Sequence, residues 1–188
     1  MGYLEEILIF KSDKIYYTDE SFGGDREVMM DWEDSLMSAS AAYVCEGGGD
    51  ILEIGFGMGI SAGYMHSHSI NSHTIIENHP QIITKAQEWA SGKSNVTIIT
   101  GSWYDVKDNL STYDGIFYDT FGDQDMDKFS SSLSSLVKEG AKVTWWNNEP
   151  SETNFYNIPN VTYQTLNINP PVNNYFNSNK YYLPKKEF

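Results

Sequence analysis

A chain of 188 residues suits one domain; 40% apolar and 20% charged residues supply an ordinary core and exclude wholesale disorder. Twelve basic residues against 26 acidic ones give a formal charge of −14, which repels phosphate backbones and argues against nucleic acid as a partner. The single cysteine, Cys45, excludes an internal disulfide and a thiolate metal cage.

The start, Met1-Gly2-Tyr3-Leu4-Glu5-Glu6-Ile7, carries no basic leader and no long apolar stretch, so no signal peptide is expected. Glu6 stands where myristoylation after Gly2 would want Ser or Thr. No stretch approaches the ~20 apolar residues of a membrane helix. With no secretory route indicated, the sequons at Asn95, Asn109 and Asn160 read as chance, and a soluble, cytoplasmic protein without membrane partners is expected.

In chain order, β-like runs over 4–10 and 14–18 flank a turn at 11–13, and 21–24 breaks the pattern. Residues 1–27 fit a small hairpin or a flap over a site. From Glu27 to about Cys45, Val28, Trp32, Leu36, Ala39 and Tyr43 recur every three or four residues, which predicts a helix stopped by Gly47-Gly48-Gly49. The chain then alternates between strands at 50–54, 74–77, 96–100, 115–119 and 142–146 and helices at 59–68, 80–90 and 125–138. Pro80 suits the first turn of its helix, with Gly92 just past the end, and Gly140 is expected to close the last helix. This rhythm predicts a seven-stranded, mostly parallel, Rossmann-like α/β sheet with helices on both faces. Strand-like runs at 161–168 and 180–188, joined through Pro170-Pro171 without a helix, predict a C-terminal antiparallel hairpin at the sheet edge. There are no internal repeats and no linker, so 1–188 is expected to be one domain.

The strongest motif is Ile51-Leu52-Glu53-Ile54-Gly55-Phe56-Gly57-Met58-Gly59-Ile60, an apolar strand running into a glycine-rich turn that opens a helix. Such turns let a ligand press against backbone and aim helix-start N–H groups at it. The dinucleotide fingerprint G-x-G-x-x-G fits poorly, because the third glycine falls one residue early, at Gly59, and Ile60 stands in its place. Strand–E-x-G-x-G-x-G–helix is instead the pattern of S-adenosyl-L-methionine-dependent methyltransferases, whose loop holds the methionine part of the cofactor. Glu77, 22 positions after Gly55, ends the second strand, where an acid accepts from ribose hydroxyls or is an ordinary strand-end residue. Ser102 and Trp103 close the third strand beside the place of the adenine, with Trp103 either apolar wall or plain core. Asp119 ends the fourth strand, facing the crevice where sulfonium and acceptor meet. On the predicted first helix, Met29, Glu33 and Met37 share a line at spacing four, which suits either a functional carboxylate between thioethers or a solvated face.

Other clusters read as bland. His66, His68, His73 and His79 lack metal-ligand spacing, and no metal is expected. Asp123, Asp125 and Asp127 echo a calcium loop but lack its glycine and glutamate, since Lys128 and Ser134 stand there. Asp114, at the start of its strand, reads as a turn residue. Trp145 and Trp146 are expected to split between core and crevice wall.

The segments Val28–Met37, Leu52–Met58, Ile75–Glu77, Gly101–Val106 and Asp114–Thr120 together resemble guanidinoacetate N-methyltransferase and its relatives, with Tyr181-Tyr182-Leu183-Pro184 similar to that family's last strand. The resemblance implies that Met29, Met37, the turn Gly55-Phe56-Gly57-Met58-Gly59-Ile60, Glu77, Asn78, Ser102 and Trp103 contact S-adenosyl-L-methionine. It implies that Glu33 and Asp119 grip the acceptor's guanidinium and that the product is S-adenosyl-L-homocysteine. Two departures bear on the acceptor. Residues 1–27 show little of the family's amino-terminal lid, and Asn147-Asn148-Glu149-Pro150 replaces a segment that holds the acceptor's carboxylate. Glu149 there would repel an acid. A small cationic guanidine or amine without an adjacent acid is therefore the expected acceptor. The alternatives are a protein arginine, or a protein that binds or cleaves the cofactor without transferring a methyl group.

Overall fold

A computed structural model describes residues 2–122, 126–154 and 156–188. The first elements form a small antiparallel sheet of β1 (Ile9–Phe10), β2 (Lys14–Asp19) and β3 (Gly24–Met30). The expected hairpin around 11–13 is present as β1 and β2, with Lys11 N–H donating to Lys14 O at 2.8 Å, but only Ile9–Phe10 of the run over 4–10 is strand, and Tyr3–Glu5 forms a 3₁₀ turn.

β3 corrects the helix predicted from Glu27. Residues 24–30 are extended and paired with β2, a single-turn 3₁₀ segment covers Asp31–Glu33, and helix α1 runs only over Asp34–Val44. Spacing by three or four residues in 28–43 does not separate a helix from a strand followed by a turn. Pairing with Lys14–Asp19 satisfies the β2-facing backbone groups of β3, and tertiary hydrogen bonds override the local pattern. An ion pair from Lys14 to Glu27, at 3.3 Å, spans the two strands.

The main sheet follows: β4 (Asp50–Ile54), α2 (Ile60–Ser67), β5 (Ser72–Glu77), α3 (Pro80–Ala90), β6 (Val96–Thr100), the short α4 (Trp103–Val106), β7 (Tyr113–Tyr118), α5 (Met126–Leu136), β8 (Val137–Trp145), β9 (Thr162–Asn167) and β10 (Lys180–Glu187). Its order is β6-β5-β4-β7-β8-β10-β9, with β4, β5, β6, β7 and β8 mutually parallel and β10 antiparallel to both β8 and β9. This is the expected seven-stranded architecture with its antiparallel C-terminal hairpin. Pro80 occupies the first turn of α3, and His79 Nδ1 caps it by accepting from Gln81 N–H at 3.3 Å.

Gly140 does not close α5. That helix passes directly into β8, and Gly140, at φ 78°, lies where the pairing of β7 with β8 jumps from Tyr113–Val137 to Gly115–Lys142. The calcium-like reading of Asp123 and Asp125 falls outside the described residues.

Alternation along the central strands builds a core on each face. Leu52, Ile54, Ile116 and Tyr118 pack with Phe129, Leu133 and Leu136 of α5. Ile51 and Phe117 pack on the other face with Leu36, Met37, Ala41 and Val44 of α1 and Met65 of α2. Each fully buried aliphatic or aromatic side chain contributes ~1.5–3 kcal/mol relative to exposure. These layers hold the strand ends, and the loops that leave them, in fixed places. No helix of the described residues is long and apolar enough to cross a membrane.

Candidate active site at the ends of β4, β5 and β7

The chain moves outward from β4 through β5 to β6, then returns to the other side of β4 as β7. The connections leaving β4 and β7 therefore diverge, and the gap between them is where open α/β sheets bind ligands. A cavity of about 250 Å³ lies here, lined by the loops after β4, β5 and β7 together with β3, the Asp31–Glu33 turn and Tyr175.

Gly55 shows why the first loop needs glycine. Its φ is +95°, and a Cβ there would fall 1.8 Å from the carbonyl oxygen of Asp119. Gly55 N–H donates to Ile76 O at 2.9 Å and Asp119 N–H to Ile54 O at 2.8 Å, so three neighbouring strand ends are tied around the point where the cavity opens. Gly57, at φ +53°, approaches Met29 closely enough that a Cβ would lie 2.5 Å from its Sδ, and Met58 N–H points at the same sulfur at 3.1 Å. Met29 thus anchors the loop from β3.

Glu77 is 6% exposed at the end of β5. Its Oε1 accepts from the N–H groups of Asn78 and His79, each at 2.8 Å, and its Oε2 accepts from Phe56 N–H at 3.0 Å. A carboxylate with about four acceptor positions and three N–H partners keeps one for a ligand hydroxyl. Tyr3 packs across this corner with ring centroids 4.9 Å from His79 and 4.8 Å from Phe121. Burial first, and the neighbouring Glu77 charge second, push the Tyr3 phenol well above its ordinary range.

The opposite wall holds Glu33 and Asp119. Glu33 is 3% exposed; its Oε1 accepts from Met30 N–H at 2.8 Å and from the Tyr175 hydroxyl at 2.6 Å. Burial is the main cause pushing its carboxyl up to about 8, the Asp119 charge adds to this, and the hydrogen bonds from Tyr175 and Met30 oppose it. Trp146 and Asn148 continue this wall, and the Trp146 indole N–H donates to Asn148 Oδ1 at 2.6 Å. None of the described residues lining the cavity is Lys, Arg or His.

Met29, Glu33, Gly55, Phe56, Gly57, Glu77, Asn78, Trp103 and Asp119 come together on the cavity wall. Met37, Glu53, Met58, Gly59, Ile60 and Ser102 do not line it. Met37 is buried under the sheet, so Met29, Glu33 and Met37 form no shared helical stripe: they come from a strand, a turn and a helix. Glu53 is fully buried beneath the loop, where it accepts from the hydroxyl of Ser61 and lies 2.9 Å from His73 Nε2. Ser102 caps α4 by accepting from Tyr104 N–H at 3.3 Å. Trp145 is core and Trp146 is cavity wall, as the doublet suggests. Asp114 sits at the far end of β7, where it accepts from Asp50 N–H at 2.7 Å and pairs with Lys138 at 2.6 Å. No sequence signal marks Tyr3, Phe121 or Tyr175 as lining residues, whereas Asn148 lies in the segment that stands at the acceptor's place. Tyr175 lies 142 residues from the carboxylate it touches, inside a segment readable only as turn-forming.

A nucleoside cofactor fits this cavity. The glycine turn exposes backbone that a side chain would cover, Glu77 retains an acceptor, and Trp103 presents a buried indole N–H without a hydrogen-bond partner. The fold is that of the Rossmann-like class I methyltransferases. The structure superposes on spermidine synthase from Thermotoga maritima with a TM-score of 0.64 at 11% identity, over 96% of this chain and 72% of that one. It matches N-methyltransferase NodS from Bradyrhizobium japonicum with a TM-score of 0.63 at 12% identity, over 83% of this chain and 96% of that one. Residues 19–145 match the model of the guanidinoacetate N-methyltransferase family, and the chain belongs to that family of S-adenosyl-L-methionine-dependent enzymes. Among curated relatives, protein arginine N-methyltransferase 2 of Aspergillus oryzae is 33% identical over 155 residues, covering 77% of this chain and 36% of that protein. The protein of the same name from Kluyveromyces lactis is 31% identical over 219 aligned positions, covering 99% of this chain and 53% of that protein. The chain thus spans between about a third and a half of the length of these relatives.

Proposed function

We propose that the chain transfers a methyl group from S-adenosyl-L-methionine to a guanidino nitrogen of an arginine side chain. The observation that carries this is the placement of two carboxylates, Glu33 and Asp119, on one wall of a cavity whose described lining has no cationic side chain. Planar N–H forks match paired carboxylates in geometry and charge. A guanidinoacetate-like acceptor would also bring its own carboxylate into a cavity whose described lining offers it no cationic partner. The relatives named for protein arginine support a peptide-borne acceptor rather than the small molecule that composition and motifs suggest.

The cofactor, when bound, supplies an electrophilic methyl group on a sulfonium. Gly55, Phe56, Gly57, Glu77, Asn78 and Trp103 are the residues that would hold it. Glu33 and Asp119 act on the acceptor. A guanidinium is a poor nucleophile because its lone pairs are delocalised. Hydrogen bonds from separate N–H groups to the two carboxylates localise a lone pair on the attacking nitrogen. The proton given up by the methylated nitrogen would pass to one of the carboxylates, whose ionised form the guanidinium charge favours. The walls orient the reactants and exclude water, an effect worth ~7–11 kcal/mol in well-aligned cases.

A second reading, methylation of a compact organic cation, draws on the lining aromatics Trp146 and Tyr175, whose ring centroids lie 6.1 Å apart. Measuring S-adenosyl-L-homocysteine formation with arginine peptides, free guanidines and small amines separates the two. Turnover on peptides alone supports the first, turnover on small cations alone supports the second, and no turnover on any acceptor refutes both.

A further inference from the structure

Glu33 and its partner belong to segments far apart in the chain, and the partner is held with unusual care. Asn173 Oδ1 accepts from Tyr175 N–H at 3.0 Å and Phe176 N–H at 2.7 Å, while its Nδ2 donates to Pro171 O and Phe176 O. Asn174 Nδ2 ties the same loop to Asp25 O at the edge of β3. The Tyr175 ring is stacked on Trp32, and the Trp32 indole N–H donates to the Tyr175 hydroxyl at 3.1 Å. With its own oxygen engaged, that hydroxyl donates to Glu33 Oε1 at 2.6 Å. Met30 N–H reaches the same Oε1 at 2.8 Å, so both fixed donors converge on one oxygen of a carboxylate that lines the cavity.

We infer that Tyr175, oriented by Trp32, is a positioning residue that fixes Glu33, holding one carboxylate oxygen so that the other meets the acceptor. This rests on the proposed guanidino transfer for its functional meaning, though not for its geometry. The chain Trp32 N–H to Tyr175 O–H to Glu33 runs in one direction, each donor polarising the next, and such series strengthen one another in a dry site. Other groups facing Glu33 are Asp119 from the end of β7 and Tyr181 from β10. The Asp119 charge disfavours ionised Glu33, so the Tyr175 hydroxyl is the side chain that offsets it.

The test titrates the Glu33 carboxyl by carbon-13 NMR in the wild type, in Tyr175→Phe and in Trp32→Phe, alongside pH profiles of kcat/KM for an arginine peptide. Losing a hydrogen bond to a charged group is expected to make Glu33 bind its proton about tenfold more tightly in Tyr175→Phe, with a smaller change of the same sign in Trp32→Phe. The acid limb of kcat/KM moves to higher pH, the peptide KM rises about tenfold, and affinity for S-adenosyl-L-homocysteine is unchanged. A merely structural tyrosine would lower stability without moving the titration. An unmoved titration in Tyr175→Phe overturns the inference; if that variant does not fold, the Trp32→Phe titration decides it. A wild type that methylates no acceptor defeats the functional reading, while the carboxyl titration still reads Tyr175.

Discussion

Asp119→Asn removes one negative charge from the cavity wall while keeping the side chain's shape. Its backbone N–H bond to Ile54 O, 2.8 Å long, is unaffected, so the loop geometry is expected to persist. Two losses follow at the acceptor. A hydrogen bond between charged groups is worth about 1.5–3 kcal/mol, which raises the acceptor KM roughly 10- to 150-fold. A carboxylate available to take the proton accelerates transfer by about 10²–10⁴, and much of that falls out of kcat. A third effect acts on Glu33. The Asp119 charge is one cause holding that carboxyl up at about 8, so its removal lets Glu33 ionise at lower pH, and residual activity has an acid limb displaced downward. The assay follows S-adenosyl-L-homocysteine release against pH with an arginine peptide, together with calorimetric titration of the cofactor. Turnover equal to the wild type would refute the reasoning, as would loss of cofactor affinity equal to the loss of turnover.

Burial raises the Glu33 carboxyl above its unfolded value, so the wild-type fold loses stability as pH climbs from about 4.5 to about 8, and Glu33→Gln is expected to be the more stable protein at pH 8 while losing transfer activity; melting curves of both at pH 4 and pH 8 check the sign. Glu77→Gln cannot satisfy the N–H groups of Phe56, Asn78 and His79 together and is expected to weaken S-adenosyl-L-methionine binding about 10- to 100-fold in calorimetry. Gly55→Ala drives a methyl group into the Asp119 carbonyl at a positive φ; a destabilisation of about 3–5 kcal/mol would lower Tm by roughly 6–20 °C in a thermal scan.

The sheet was legible because its signals are local. Pro80 marks the start of α3, short runs rich in Ile, Leu and Val mark β4 and β6 with the bounds the sequence suggests, and the glycine turn stands where the first strand ends. The stretch from Gly24 to Met30 was not legible, since its apolar spacing serves a helix as well as the paired strand it becomes. Met29 and Glu33 reach the cavity even so, whereas Met37, placed beside them by helical counting, faces the core. Glu53 and Ser102 are polar neighbours of the cavity-lining loops that fold inward to a buried histidine contact and to a helix cap. Tyr175 illustrates the limit most clearly: its contact with Glu33 exists only after β10 has paired with β8 and brought the 170–176 loop over the end of the sheet.

The account stands most directly on whether the cavity beside Gly55 and Glu77 takes the sulfonium nucleoside. Calorimetric titration of S-adenosyl-L-methionine into the wild-type chain should give saturable heat at a single site, retained in Asp119→Asn and much weakened in Glu77→Gln. Absence of heat in the wild type, or equal binding in Glu77→Gln, would contradict it.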